Sequence, residues 1–130
     1  MDKSIYILGL NTTYHELSAC LIKDGELVAA VEEERFNRIK HGKSALVSNP
    51  NTLPVEAMKF CLNEAGVTFK DLDKIAISFC PQDRLKNINI DEHFKEGDWG
   101  SKSGEELFYK KLMSLPGLLS KLADIDLNDQ

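Results

Sequence analysis

The first third of the chain alternates short apolar runs with polar connections, a pattern typical of β-strands. Mostly apolar runs span residues 4–10, 18–22 and 26–31. Asp24-Gly25 separates the second run from the third, and this dipeptide is the strongest short-range signal for a β-hairpin. These runs predict a meander of three antiparallel strands.

The next stretch changes to a helical period. Apolar residues recur three or four positions apart at Met58, Cys61, Leu62 and Ala65. Pro54 suits an early helical position and Gly66 is a natural stop, so residues 54–65 predict an amphipathic helix that covers the sheet. Residues 74–80 form a β-favouring run closed by Pro81, and a crossover through the helix predicts that this strand is parallel to a neighbour.

The second half of the chain has weaker signals. Residues 82–102 are charged and show no sustained period, which predicts an exposed and mobile segment. Ser103 and Glu106 match a capping box, so a helix should begin near Gly104 and break or bend at Pro116-Gly117. A second apolar stripe follows at Leu118, Leu119, Leu122 and Ile125. In a truncated chain, exposure of these leucines predicts self-association.

Composition and charge limit the class of protein. The 130 residues with 42% hydrophobic content fit one globular domain, and no apolar run approaches membrane-spanning length. The amino terminus lacks the features of a signal peptide, which predicts a cytoplasmic location. The net charge of -5 argues against nucleic acid as a partner, because binding to phosphates requires clustered Lys and Arg.

The three cysteines are predicted to be reduced core residues. Cys20, Cys61 and Cys80 form an odd count, contain no CxxC motif and lie in apolar stretches. A metal site formed by their approach in the folded chain is the alternative.

The polar loop between the first two strands carries the main candidate chemistry. It contains Asn11, Thr12, His15 and Glu16. A neutral imidazole can accept a proton near neutral pH, and the amide and hydroxyl groups can bind an anion or a nucleotide. The alternative is that His15 is a surface hydrogen-bonding residue and Asn11 an ordinary turn amide.

A charged run follows the third strand. Alternation along a strand sends Glu32 and Glu34 to one face and Glu33 to the other, and a solvated surface is the usual setting of such a run. The basic residues that come next are Arg35, Arg38, Lys40, His41 and Lys43. They could bind the phosphate or carboxylate of a small ligand.

These segments resemble the amino-terminal signature of the O-carbamoyltransferases that modify antibiotics and nodulation factors. The corresponding residues are LGLN at 8–11, HELSAC at 15–20, DGELVAAV at 24–31 and EEERFNRIKH at 32–41. Glu16 and Leu17 depart from the family pattern, which has Asp and Ser there. The resemblance covers about the first eighty residues and weakens after Cys80.

The resemblance implies an α/β partial domain of ribonuclease-H-like fold, in the superfamily of actin-like ATPases and sugar kinases. The three-stranded antiparallel meander would be followed by a helix, a strand and C-terminal helices. Residues 1–130 would form a single domain, the N-terminal fragment of a longer carbamoyltransferase. The intact enzyme would move a carbamoyl group from carbamoyl phosphate, via carbamoyladenylate, to a hydroxyl of a small-molecule acceptor. It would use ATP and a divalent metal.

The resemblance also implies roles for particular residues. His15 and Glu16 would be catalytic, and the ligand-binding residues would be Asn11, Thr12, Arg35, Lys40 and His41. The family's metal-binding His-x-x-x-His pair has no counterpart among the three histidines, so no metal ligand is expected in this chain. The fragment alone is expected to be inactive and to hold no cofactor tightly.

Two other classes of function stay open. A tRNA-modifying transferase or a sugar-kinase-like enzyme of the same fold has a similar opening of strand, loop and strand. A stand-alone, non-catalytic binding module is the other alternative, and the coding sequence beyond Gln130 would distinguish it from an enzyme fragment.

Overall fold

The computed structural model describes residues 3–12, 16–39, 53–78, 80–86, 109–110 and 112–125. In chain order the strands and helices are β1 (Tyr6–Asn11), β2 (Ser18–Lys23), β3 (Glu26–Glu32), α1 (Glu34–Asn37), α2 (Val55–Ala65), a 3-10 helix (Phe69–Asp71), β4 (Lys74–Ile77), α3 (Pro81–Lys86) and α4 (Leu115–Ile125). The four strands form one mixed sheet in the order β3-β2-β1-β4. The predicted α/β class and the three-stranded meander are confirmed.

The hairpin between β2 and β3 turns at Asp24-Gly25, as predicted. Both residues have positive φ angles, 50° and 84°, which is the signature of a type I′ turn. The Asp24 carboxylate accepts a hydrogen bond from the Ile5 N–H at 2.8 Å, and the Asp24 N–H donates to the Ile5 carbonyl at 2.9 Å. The turn is therefore fastened to the start of β1.

Asp24 predicts a dependence of stability on pH. The hydrogen bond from the Ile5 backbone, helped by Ser4, holds the pKa of Asp24 below its ordinary value of 3.8. A carboxyl whose pKa is lower in the folded chain stabilises the fold above its unfolded pKa, and this contribution is lost as the pH falls. We expect the difference in urea midpoint between wild type and Asp24→Asn to shrink between pH 7 and pH 3. A constant difference would contradict this account.

Helix α2 and strand β4 follow the predicted order. The helix ends at Ala65, and its C-cap Gly66 has a φ of 67°. It buries Met58, Cys61 and Leu62 of its predicted face together with Ala57, whereas the predicted Ala65 is half-buried. It packs on β2 and β3. Strand β4 pairs with β1 in parallel, with Ile7 opposite Lys74 and Leu10 opposite Ile77. The predicted crossover into a parallel strand is thus confirmed.

The cysteines do not share one environment. Cys61 is buried, its thiol donates to the Ala19 carbonyl at 3.6 Å, and burial raises its pKa to about 11. Cys20 is half-buried and Cys80 is exposed. None of the three cysteines forms a disulfide bond. The prediction of a core position is therefore wrong for Cys80, because β4 ends at Ile77 rather than continuing through residue 80.

The second half of the chain departs further from the prediction. Helix α3 (Pro81–Lys86) occupies the start of the segment that was predicted to be irregular. The predicted helix start near Gly104 lies outside the described residues. Residues 109–110 and 112–113 are helical, and a turn at Ser114 precedes α4. Pro116 lies in the first turn of α4, where its missing N–H breaks no helical hydrogen bond.

Part of the second apolar stripe is covered by the protein itself. Leu115 and Leu119 are buried, and Leu118 is half-buried against the core. Exposure of Leu119 was therefore a wrong prediction, since Leu119 belongs to the same buried cluster as residues of β1 and α2. The side chains of Leu122 and Ile125 lie outside the described residues, and self-association stays a prediction. No helix in the described part of the chain is long and apolar enough to cross a membrane.

Candidate functional site

The sheet face opposite the α2 side carries two rows of residues that cross the strands. In the first row Gly9 pairs with Cys20 and with Ala76, and Cys20 pairs with Ala30. In the second row Asn11 pairs with Ser18, and Ser18 pairs with Glu32. Ser78, directly after β4, follows Ile77, which pairs with Leu10. A row of small side chains thus lies beside a row of polar ones.

These two rows line an open cavity of about 1120 Å³. The small row leaves room above the sheet because none of its members has a side chain larger than that of cysteine. Gly9 is the tightest point, since a Cβ atom at this position would lie 2.7 Å from the Cys20 Sγ. The polar row supplies amide, hydroxyl and carboxylate groups at the edge of the cavity. The register of the strands therefore decides that the small side chains form one row and the polar side chains form the next.

An arginine and two aromatic rings form another wall of the cavity. Arg35, Phe36 and Phe60 all line it. The two rings have centroids 5.9 Å apart and are tilted by 46°, a favourable aromatic geometry. Arg35 is exposed and therefore free of the cost of burial. A guanidinium beside apolar rings suits a ligand that has both an anionic group and a flat apolar part.

A hydrogen bond joins the end of β1 to Glu16, shortly before β2. The Asn11 side-chain amide donates to the Glu16 carbonyl at 2.8 Å. Thr12 is buried, and Glu16 has a φ of 54°, in the left-handed region that is uncommon for a residue with a side chain. Asn11 therefore connects the end of β1 to Glu16 in addition to lining the cavity.

Three glutamates from separate segments meet at this end of the sheet. The carboxylate oxygens of Glu16, Glu32 and Glu34 lie within 4.8 Å of one another. A hydrogen bond with Glu34, followed by repulsion from its charge, raises the pKa of Glu32 above the ordinary value of 4.5. Carboxylate oxygens are the ligands that hard divalent cations prefer, so these three residues have the donor chemistry to hold one. Strand alternation predicted that Glu32 and Glu34 share a face, but it did not predict their meeting with Glu16.

Glu33 behaves differently from its two neighbours. It is buried, and its carboxylate accepts hydrogen bonds from the backbone N–H groups of Glu56 and Ala57 at the start of α2. Burial raises the pKa of Glu33, whereas these two hydrogen bonds lower it. Glu33 faces α2 and Glu32 faces the cavity, as predicted, although β3 ends at Glu32 and Glu33 has helical backbone angles rather than extended ones. A solvated surface was the wrong setting for Glu33.

The structure brings together part of the predicted site. Asn11 and Arg35 line the same cavity, and Glu16 meets Glu32, which also lines it. Thr12 lies beside Asn11 but is buried. The predicted residues His15, Lys40 and His41 lie outside the described residues, and every assigned role stays a prediction. Sequence reasoning missed the wall formed by Phe36 and Phe60, because these residues are 24 positions apart in the chain.

Comparison with known proteins agrees with the signature residues. A family described as "Carbamoyltransferase N-terminus" matches residues 6–99. Nodulation protein NolNO of Sinorhizobium fredii is 47% identical over 66 residues, which are 51% of this chain and 8% of that protein. An uncharacterized protein of Synechocystis is 44% identical over 70 residues, which are 54% of this chain and 10% of that protein.

A third relative is shorter. An uncharacterized 19.2 kDa protein of Rhizobium etli is 46% identical over 66 residues, 51% of this chain and 34% of that protein. The chain therefore matches a tenth or less of the two longer relatives and a third of the shorter one.

Proposed function

Starting from the carbamoyltransferase N-terminus family, to which this chain belongs, we propose that it forms part of an enzyme that carbamoylates a hydroxyl of a small acceptor. The family match over residues 6–99 is the observation that carries this proposal. The cavity supports the proposal, because the Arg35 guanidinium suits the phosphate of a carbamoyl nucleotide and the two aromatic rings suit its flat base. The proposed donor is carbamoyladenylate, made elsewhere in the longer protein from carbamoyl phosphate and ATP.

The proposed step is an acyl transfer. The acceptor oxygen forms a bond with the carbamoyl carbon, the bond from that carbon to the phosphate oxygen breaks, and AMP leaves. The hydroxyl proton passes to a base, a role that we assign to His15. The Arg35 guanidinium would stabilise the negative charge that builds on the leaving phosphate. Asn11 would orient the donor from the end of β1.

The ribonuclease-H-like fold belongs to the same proposal. An antiparallel meander followed by a helix and by β4, parallel to β1, is the topology expected at the start of an actin-like domain. In such open sheets, ligands bind at the carboxyl ends of strands, and Asn11, at the carboxyl end of β1, lines the cavity. The proposed compartment is the cytoplasm.

The divalent metal of the proposed enzyme has candidate ligands in this chain. Glu16, Glu32 and Glu34 supply hard oxygen donors, which fit a cation such as Mg²⁺. A bound cation would supply polarisation of a carbonyl or phosphate oxygen. Imidazole ligands of the His-x-x-x-His type are absent from the sequence, whose histidines are His15, His41 and His93.

Arg35 provides the test of the proposed function. In the full-length enzyme that carries this sequence, we expect Arg35→Gln to lower kcat/KM for carbamoyl transfer by roughly 10- to 100-fold. The reason is that a charge-assisted hydrogen bond to phosphate contributes about 1.5–3 kcal/mol. AMP release, measured with carbamoyl phosphate, ATP and a hydroxyl acceptor, reports the rate.

The matched control is Arg38→Gln. Arg38 belongs to the same basic run and is exposed, but it is the C-cap of α1 and is not among the residues that line the cavity, which argues against its predicted part in ligand binding. Its replacement removes the same charge three residues away and should leave kcat/KM within about twofold of wild type. Equal losses in the two variants, or no loss in either, would count against a role for Arg35 in donor binding.

A further inference from the structure

Glu33 joins several segments through its main chain. Its N–H donates to the Leu17 carbonyl at 2.8 Å, which connects the end of β3 to the residue before β2. Its carbonyl accepts from the N–H groups of Phe36 and Asn37 at 2.9 and 3.1 Å, which begins α1. The segments around it carry Glu16, next to Leu17, and Arg35, within α1.

The Glu33 side chain adds a connection to α2. Its two carboxylate oxygens accept from the N–H groups of Glu56 and Ala57 at 3.0 and 3.1 Å. The first N–H groups of a helix have no partner within the helix, and Pro54, at the N-cap position, makes no capping hydrogen bond through its side chain. Glu33 therefore caps a helix that begins 22 residues later in the chain, and its charge is favourable at that positive end.

We propose that Glu33 is a positioning residue of the transfer site: it anchors the segments that bear Glu16 and Arg35 to the buried start of α2. The role of Glu33 in carbamoyl transfer rests on the proposed function. The anchoring does not, because it follows from the hydrogen bonds of Glu33 alone. Glu33 is 5% exposed and is not among the residues that line the cavity. It therefore acts through its neighbours and makes no contact with the ligand.

The physical reason is that the core holds α2 in place, whereas it does not hold α1. Helix α2 is 11 residues long and buries one face in the core, whereas α1 has four residues and none of them is buried. A four-residue helix is not stable by itself. Its orientation, and that of Arg35, must come from its connections to α2, which are the Glu33 hydrogen bonds and the contact between the Phe36 and Phe60 rings.

Amide hydrogen exchange of the 130-residue chain tests the anchoring directly. In Glu33→Gln we expect the amides of Glu33, Phe36 and Asn37 to exchange at least roughly tenfold faster, relative to those of central strand β1, than in wild type. The amide of glutamine can accept with one oxygen only, so a buried N–H of α2 loses its partner. Glu64→Gln, an exposed charge removal on the same helix, is the control and should leave this ratio unchanged.

Uniform acceleration of all amides, or none, would overturn the proposal, because Glu33 would then contribute only to global stability. If Glu33→Gln does not fold, Glu33→Asp applies the same test with a carboxylate that is one methylene shorter. In the full-length enzyme, Glu33→Gln should lower kcat by roughly 10- to 100-fold under conditions where the protein stays folded. If the wild-type full-length protein transfers no carbamoyl group, the proposed function is refuted. Faster exchange in Glu33→Gln would still support the anchoring in that case.

Discussion

Replacement of Met58 by alanine is expected to lower the free energy of unfolding by about 2–5 kcal/mol. Met58 is fully buried in α2, and the helix packs through this face on β2 and β3. Removal of the thioether leaves a cavity between α2 and the sheet, because neither backbone can move far enough to fill it. The free energy of unfolding, measured by urea denaturation at pH 7, provides the test.

Met113→Ala is the matched control for this prediction. Met113 lies among the helical residues 112–113 and is 46% exposed. Methionine and alanine differ little in helix propensity, so this change should cost less than about 1 kcal/mol. Similar losses for the two methionines would mean that α2 does not pack on the sheet as described.

Replacement of Gly9 by valine is expected to destabilise the protein by about 1–3 kcal/mol, although valine favours β-strands. A Cβ atom at residue 9 would lie 2.7 Å from the Cys20 Sγ, in the centre of the sheet. Steric overlap there should outweigh the gain in strand propensity. Thermal or urea unfolding of the 130-residue chain measures the loss.

A double-mutant cycle with Cys20→Ala isolates the cause. Removal of the sulfur should relieve most of the overlap, so Gly9→Val should cost at least about 1 kcal/mol less in the Cys20→Ala background. The same cost in both backgrounds would show that the Cys20 sulfur is not the obstacle. The side chain at residue 9 also faces the cavity, so Gly9→Val should weaken ligand binding in the full-length enzyme.

Local sequence patterns were most informative where neighbouring residues decide the structure. Asp24-Gly25 has the positive φ angles of a tight turn, and both Pro54 and Gly66 lie at the boundaries of α2 as predicted. These features depend on backbone preferences within a few residues. The family resemblance was equally local, because it rests on contiguous motifs from residue 8 to residue 41.

Patterns failed where the outcome depends on distant packing. Residues 78–80 continue the apolar run of β4, yet the strand ends at Ile77, level with Leu10 near the end of β1. The helix break predicted at Pro116-Gly117 falls two residues earlier, at Ser114, and Pro116 is the second residue of α4. Leu119 was predicted to be exposed, and the core buries it.

The candidate site shows the same division between local and tertiary causes. The predicted separation of Glu33 from Glu32 and Glu34 holds, but strand alternation is not its cause, because β3 ends at Glu32 and α1 begins at Glu34. The meeting of Glu32 and Glu34 with Glu16 required the pairing of β2 with β3, and the hydrogen bonds of Glu33 required α2 to pack nearby. Local sequence patterns therefore determined the strands, the turn and the family resemblance. Long-range packing determined which side chains share a cavity, because contacts between distant segments leave no periodic signal in the sequence.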